Sequence, residues 1–456
     1  MRCLKRPTRR HRSTRGFVYS LAILLAFFTF LNIASGQSPA VDRSAAATER
    51  YENSARGVSV IDLVRHAISS NGELAAARIE IARARARLRQ AGLRPNPAVD
   101  FEQQNGVLDS PGERATSFGF SLPLELWGQR GRRMDLAQVT LEAAVAEVGD
   151  RERRLAGEVR LAYAEALAIV RELEVTERLN KIDIETARLV EVRINEGDAA
   201  PIELNLLRVE IDRLRARRAL LAGRLESAML RLKQLSGMPA DEPVTLREAL
   251  ASPLVPQPPS SLDASLEIAL RNRPDLKFAR LSEEAAQAGY HLVKAEASPH
   301  VTAFTRYGQT SSAFDETPVG FLRDRDRLFS FGVSIVLPVF NRNQGAKAEA
   351  QLAIIQARKR REFAESVVRA EVTSAYRRYE AALASLQIYE LGVITRTVAN
   401  VETIRAAYEA GAFRISELIS EQRRLIESQR ELTEALMERY RALADINTAL
   451  GVTVND

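Results

Sequence analysis

Apolar residues recur along this chain with two different periods, and each period occurs twice. Phe329, Phe331, Val333, Ile335 and Leu337 alternate with Ser330, Gly332, Ser334 and Val336, the period of two expected of a strand with one apolar face. About 210 residues earlier, Phe118, Phe120, Leu122 and Leu124 alternate with Ser117, Gly119, Ser121 and Pro123. The short motif S-F-G-[FV]-S opens both copies. Turn residues follow each run, LWGQRG in the first and Asn341 to Gly345 in the second, and the pattern then becomes helical. Met134, Leu141, Val148, Leu155, Ala162 and Ile169 lie seven apart, interleaved by Gln138, Val145, Glu152, Val159, Ala166 and Leu173. Ten of these twelve positions are apolar, which predicts a helix packed in the left-handed coiled manner. It runs from Gly128 to Glu196 without proline, a length of roughly 100 Å at ~1.5 Å per residue. In the second copy Val368, Val372, Ala375, Tyr379, Ala382, Leu386, Tyr389 and Val393 keep a 4-3 alternation on the way to Gly411.

The flanking segments repeat as well. Gly197 and Pro201 mark a turn, and a helix returns from Ile202 to about Leu235; Gly411 marks the matching turn, and Ile415 to Leu450 returns. Six and seven residues after each glycine stand Glu203 and Leu204, and Glu417 and Leu418. Upstream, a helix from Ile61 to Leu93 is stopped by RPNP, and Val99 and Phe101 alternating with Asp100 and Glu102 make a first strand. A loop around Asp109 to Gly112 completes a hairpin. In the second half a helix from Leu262 to Ala297 is interrupted at Asn272-Arg273-Pro274. A strand from Val301 to Tyr307 and a loop containing Asp315, Glu316, Asp324 and Asp326 precede the Phe329 strand. Six prolines fall between 239 and 261, which predicts an extended linker. The organisation expected is therefore an N-terminal arm at 37–60 and a first repeat at 61–238 with its hairpin at about 98–125. The linker occupies 239–261, the second repeat 262–450 with its hairpin at about 299–339, and a short tail 451–456.

Residues 1–36 read as a secretory signal peptide. Seven basic residues precede an apolar core from Phe17 to Leu31, and Ala34-Ser35-Gly36 offers a cleavage site before Gln37. A single membrane anchor is the alternative, although the core is short for a span. Subtracting those seven charges from the net +6 leaves about −1, so the basic balance says nothing about partners of the mature chain. Cys3 is the single cysteine, so a mature chain has neither disulfides nor a thiolate metal site. After residue 36 no stretch approaches 18 apolar residues, which excludes a helical span there.

Catalytic chemistry is hard to place. His11, His66, His291 and His300 form no pair at ligand spacing, and Met134, Met229, Met238 and Met437 do not cluster. There is no phosphate-binding loop, no G-x-S-x-G and no dinucleotide fingerprint. Arginines at 83, 85 and 87 and at 213, 215 and 217 alternate with alanine or leucine, the pattern of solvated helix faces rather than of a nucleic-acid surface. The expectation is a protein that is no enzyme, with no cofactor, no metal site and no nucleic-acid partner.

The duplicated plan of helix, hairpin, long helix, turn and helix resembles the outer membrane efflux protein (TolC-like) family over roughly residues 60–450. PVFNRNQG at 338–345 and RPNP at 94–97 resemble its recurrent short motifs, and LELWGQRG at 124–131 is similar to a stretch of the heavy-metal (CzcC-like) branch. The resemblance implies a mainly α chain with a membrane β-barrel. It would be a homotrimer, each subunit giving four strands to one twelve-stranded barrel and its long helices to a periplasmic tunnel. The alternating ribbons support this independently, because an open sheet would leave unpaired edges in lipid and only closure removes them. Phe118, Phe120, Phe329, Phe331 and Val333 would then face outer-membrane lipid.

By the same resemblance the chain would be the outer-membrane duct of a tripartite system. Its partners would be a periplasmic adaptor (membrane fusion protein) and an inner-membrane pump of the resistance-nodulation-division type. Gly197, Glu203, Leu204, Gly411, Phe413 and Leu418 would lie at tips that dock the adaptor. Glu417 stands where relatives place a carboxylate at a closed aperture; Ser420 replaces a second acid of some relatives, and Glu421 is the candidate substitute. The alternative is that Glu417 and Glu203 are ordinary solvated helix residues. The cargo would be divalent heavy-metal cations, or small organic molecules through the same architecture. A rival of another class is a periplasmic coiled-coil scaffold without a barrel, which has no need of phenylalanines on alternating strands.

Overall fold

A computed structural model describes residues 51–54, 56–105, 113–252, 254, 256–259, 261–317 and 320–451. The signal peptide, residues 37–50 of the arm, the loop around Asp109 and tail residues 452–456 lie outside the described residues. The first half contains α1 (Val60–Ser70), α2 (Gly72–Ala91), β1 (Ala98–Asn105), β2 (Arg114–Leu124), α3 (Gln129–Glu196) and α4 (Pro201–Ser236). The second contains α5 (Leu262–Asn272), α6 (Pro274–Glu296), β3 (His300–Thr317), β4 (Gly320–Val336) and α7 (Gln344–Ile388). A π-helical segment (Tyr389–Ile394), α8 (Thr395–Glu409) and α9 (Ile415–Leu450) complete it.

The first helix of each half is broken at the same place. A single helix is expected from Ile61 to Leu93, but Asn71 leaves helical geometry with φ −66° and ψ 122°. Its side chain restarts the helix by accepting from the Leu74 amide at 3.0 Å. Its amide nitrogen also donates to the Leu235 carbonyl at 3.0 Å. Arg273 has nearly the same backbone angles at the join between α5 and α6, and both short helices are 11 residues long. Proline announces the second join; the first is signalled only by Asn-Gly.

The starts of the two long helices correspond too. Gly128 and Asn343 hold left-handed φ values of 76° and 60°. The next residue in each copy is a glutamine whose side-chain oxygen accepts the amide two residues back: Gln129 from Trp127 at 3.0 Å and Gln344 from Arg342 at 2.8 Å. Arg130 then donates to the Gly92 carbonyl at 2.6 Å, which fastens the end of α2 to the start of α3.

The strands form one antiparallel sheet in the order β1-β2-β3-β4, so the β2–β3 pairing, from Arg114↔Ser311 to Leu124↔Val301, unites the two halves. The sheet is longer than its apolar alternation suggests. Asp315 and Glu316 fall in β3, and Asp324 and Asp326 in β4, where a loop is expected. The run RDRDR at 323–327 is a period-two pattern written in charge.

The main core lies midway along the long helices. Tyr163, Leu167 and Val170 of α3 meet Leu225 and Leu232 of α4 and Leu436 and Tyr440 of α9. The proline-rich linker joins this core instead of running free: Val244, Leu246, Leu250 and Leu254 are buried. Leu246 bonds by its backbone to Asn53 and Tyr51 at 2.8 Å each, so the end of the N-terminal arm is tied to the core. Tyr163 anchors the junction. Its hydroxyl donates to Glu248 and accepts from the Arg247 amide at 3.0 Å, and burial pushes its pKa upward. The heptad in α3 holds in this middle stretch, whereas Met134 and Val145 near the sheet are exposed. The 4-3 alternation in α7 ends in the π-helical segment, which re-phases the helix before α8.

Candidate functional site

Two regions carry the candidate residues: the sheet and the helical turns at the opposite end of the long helices. Register places the sheet's apolar residues in rows across all four strands. One row is Val99, Phe120, Thr305 and Phe331; the next is Phe101, Phe118, Tyr307 and Phe329. Below them lie Leu122, Ala303 and Val333, then Leu124, Val301 and Ile335. All five strand residues singled out in the sequence therefore share one face. Phe331 is 82% exposed, and the Phe101 and Phe118 rings meet at 4.9 Å. The other face carries Asp100, Gly119, Arg306 and Ser330 in one row and Glu102, Ser117, Gly308 and Leu328 in the next. Asp100 and Arg306 flank Gly119 there. Trp127, just past β2, donates from its indole nitrogen to the Pro299 carbonyl at 2.8 Å.

The two helical turns are built alike. Gly197 and Gly411 have φ of 84° and 76°, a left-handed geometry that favours glycine. After each, the next amide reaches back five residues: Asp198 to the Arg193 carbonyl and Ala412 to Ala407, both at 2.8 Å. Four residues beyond each glycine the returning helix begins.

Between the turns, the two helical hairpins are joined by a polar latch. The Tyr408 hydroxyl of α8 donates to Glu203 of α4 at 2.9 Å. Arg193 of α3 lies 5.1 Å over the Tyr408 ring and donates to its carbonyl at 3.3 Å. Tyr408 is buried with Val190, Leu207, Ile415 and Leu418. Burial and the Glu203 carboxylate push its pKa to about 12, so it stays a neutral donor near pH 7. Glu203 is thus not simply a solvated helix residue. Tyr408 and Arg193 are absent from the sequence reading, because a lone tyrosine in a helical stripe reads as core.

The other tip residues separate by exposure. Phe413 is exposed, while Leu418 is fully buried and Leu204 half-buried in the cluster under the turns, so Leu418 supports the turn from inside rather than presenting a docking surface. Ile202, Leu206 and Val209 of α4 are exposed instead, as are Leu189 and Val192 of α3. Glu417 is exposed and accepts the Arg414 amide at 2.9 Å, capping its own helix. Glu421 is buried. It accepts from Asn400 at 3.2 Å and from Arg424 at 2.9 Å, so the candidate substitute for a second aperture acid is held inside the subunit.

Deeper along the same helices, Asp183 of α3 is buried beside Glu210 of α4, whose carboxylate takes Arg423 of α9 at 2.6 Å. One Asp183 oxygen has no hydrogen-bond partner among the described residues. Burial first, then the Glu210 charge, pushes Asp183 up to about 6, against a hydrogen bond from Gln422.

The described residues hold no group of three or more histidine, cysteine or acidic side chains placed to bind a metal. No helix among them is long and apolar enough to cross a membrane.

The sequence model of the outer membrane efflux protein family matches residues 63–238 and 265–452. The chain belongs to that family. Family members are outer-membrane channels that work with an adaptor and an inner-membrane pump, and this protein is an outer-membrane efflux channel component with a periplasmic extension. Among relatives, the pyoverdine export outer membrane protein OpmQ of Pseudomonas putida is 24% identical over 446 residues, covering 92% of this chain and 91% of its own. The cobalt-zinc-cadmium resistance protein CzcC of Cupriavidus metallidurans is 24% identical over 400 residues, covering 84% and 88%. Among solved structures, CusC superposes with a TM-score of 0.73 at 20% identity, covering 86% of this chain and 92% of its own. VceC of Vibrio cholerae gives 0.70 at 18% identity, covering 86% and 96%. These likenesses agree with the helix-and-hairpin fold, and family membership removes the barrel-free scaffold.

Proposed function

We propose that three copies of this efflux-family protein form a passive duct, in which β4 of one subunit pairs with β1 of the next to close a twelve-stranded barrel. The observation that carries this reading is the four-stranded sheet, whose outer strands β1 and β4 each have one edge unpaired among the described residues and whose apolar rows cross all four strands. In hydrocarbon, unpaired backbone groups cost several kcal/mol each, so closure among subunits is what makes such a sheet stable in lipid. Phe118, Phe120, Phe329, Phe331 and Val333 face the lipid, and the face bearing Asp100 and Glu102 lines the lumen. The family's adaptor docks at the turns around Gly197 and Gly411, on a surface that includes Phe413 and Ile202. Energy for transport comes from the pump, of the resistance-nodulation-division type; the duct supplies walls and a gate. The Tyr408–Glu203 latch holds the two helical hairpins together in the closed state, and three Glu417 carboxylates around the axis form a negative aperture.

For cargo we favour divalent metal cations. The acidic residues on the lumen face and the similarity to CzcC support this choice. The similarity to OpmQ, which spans more of the chain, supports small organic molecules as the second reading. Expression in a bacterium lacking its own duct, with candidate pump and adaptor supplied, separates the two. Restored tolerance to cobalt, zinc or cadmium is expected; restored tolerance to solvents or organic toxins alone would transfer the protein to the second reading.

A further inference from the structure

The two sheet faces continue beyond the aromatic row, and there they divide charge as well as polarity. On the aromatic face the next row is Gln103, Thr116, Gln309 and Arg327, and the one after it Asn105, Arg114, Ser311 and Arg325. Asp324 and Asp326 alternate with these arginines and take the opposite face. Within the six rows from Leu124 to Arg325 no carboxylate shares the apolar face. No ion pair engages Arg114, Arg325 or Arg327 among the described residues, although most helix arginines have an acid nearby. Arg114 and Arg325 border a concavity floored by Phe118 and Tyr307, with Thr116, Gln309 and Ser311 between them.

The spacing gives this patch a depth. The apolar rows from Leu124 to Phe118 span six residues, about 20 Å along the strand at ~3.4 Å per residue, or roughly 15 Å of membrane depth at the ~40° tilt of barrel strands. By the same rise and tilt Arg327 lies about 5 Å and Arg325 about 10 Å beyond the aromatic row, so Arg325 stands about 25 Å from the Leu124 row, the height of a barrel's apolar band. That is headgroup level on the side away from the helices, which is the outer leaflet. Unpaired guanidinium groups there meet phosphate oxygens, which they bind by bidentate charge-assisted hydrogen bonds. The aromatic floor suits the first methylenes of acyl chains.

We propose that Arg114, Arg325 and Arg327 form a binding site for a phosphorylated glycolipid of the outer leaflet, repeated in each subunit. The proposal rests on the lipid-facing assignment of the phenylalanine rows. It is tested on the detergent-extracted full-length assembly, titrated with bisphosphorylated lipid A and followed by native mass spectrometry. The joint Arg114→Gln, Arg325→Gln, Arg327→Gln variant should bind roughly tenfold or more weakly, since each cation at an anionic lipid surface contributes about a fivefold factor. The matching Arg→Lys variant should bind between the parent and the Gln variant, because lysine keeps the charge and loses the bidentate fork. Dephosphorylated lipid A should bind the parent weakly, and millimolar inorganic phosphate should not displace the lipid. Equal binding by parent and Gln variant would overturn the proposal, as would displacement by inorganic phosphate, which would make the site one for free anions. A separate reporter, Phe331→Trp in a Trp127→Phe background, is read by quenching with brominated phospholipid. Quenching there together with unchanged lipid A binding condemns the site alone; no quenching condemns the face assignment beneath it.

Discussion

Tyr408 does what its sequence position conceals. Its ring fills the apolar cluster under the two turns while its hydroxyl spans to Glu203 on the other helical hairpin. Tyr408→Phe keeps the packing and removes the bond. A hydrogen bond to a charged group contributes about 1.5 kcal/mol or more, so the open fraction in planar-bilayer recordings should rise about tenfold, and Glu203→Gln should do less. An unchanged open fraction would mean that the latch does not hold the closed state. Glu417→Gln should lower cation selectivity in the same recordings, and selectivity equal to the parent's would place Glu417 away from the pore. Asp183 makes a prediction in pH. Its folded pKa of about 6 is above the ordinary 3.8, so the stability linked to it is complete below about pH 4 and lost as pH rises through 6. Asp183→Asn should raise the unfolding free energy at pH 7, by up to about 3 kcal/mol, and flatten the dependence between pH 4 and 7. Loss of stability at pH 7 would show instead that the ionised carboxylate is needed.

At the scale of elements, legibility followed the strength of the local signal. The strands at Phe118 and Phe329 were readable because large apolar residues alternate with small ones. Their extension through Asp324 and Asp326 was not, since a strand leaving the apolar band alternates arginine with aspartate and resembles a loop. Arg273-Pro274 announced one helix join, whereas Asn71 hid the other: Asn-Gly interrupts a helix only when tertiary partners, here the Leu235 carbonyl, hold it. Asn71→Ala removes both the cap and that bond, and should lower thermal stability by about 1–2 kcal/mol; the same change at exposed Asn205 should cost much less. The linker's part in the core is hidden for a related reason. Its prolines predict extension, but turns at Pro239–Glu242 and Ala249–Ser252 interrupt it, and Leu246 and Leu250 are buried in the core. Of the candidate site, the turns were legible from glycine spacing, while the latch, the burial of Leu418 and the pairing of Glu421 depend on contacts between helices far apart in sequence.

For the whole molecule, the sheet and the helices make different demands on assembly. Each protomer has a helical core of its own, centred on Tyr163 and Leu436. Its sheet, by contrast, has two free edges among the described residues and a broad exposed apolar face, so on the proposed reading it is the sheet that needs partners. The account accordingly stands on subunit count. Native mass spectrometry of the detergent-extracted protein should give the mass of three mature chains, falling to one only when the barrel is unfolded by heating. A folded monomer as the main species under non-denaturing extraction would contradict the duct.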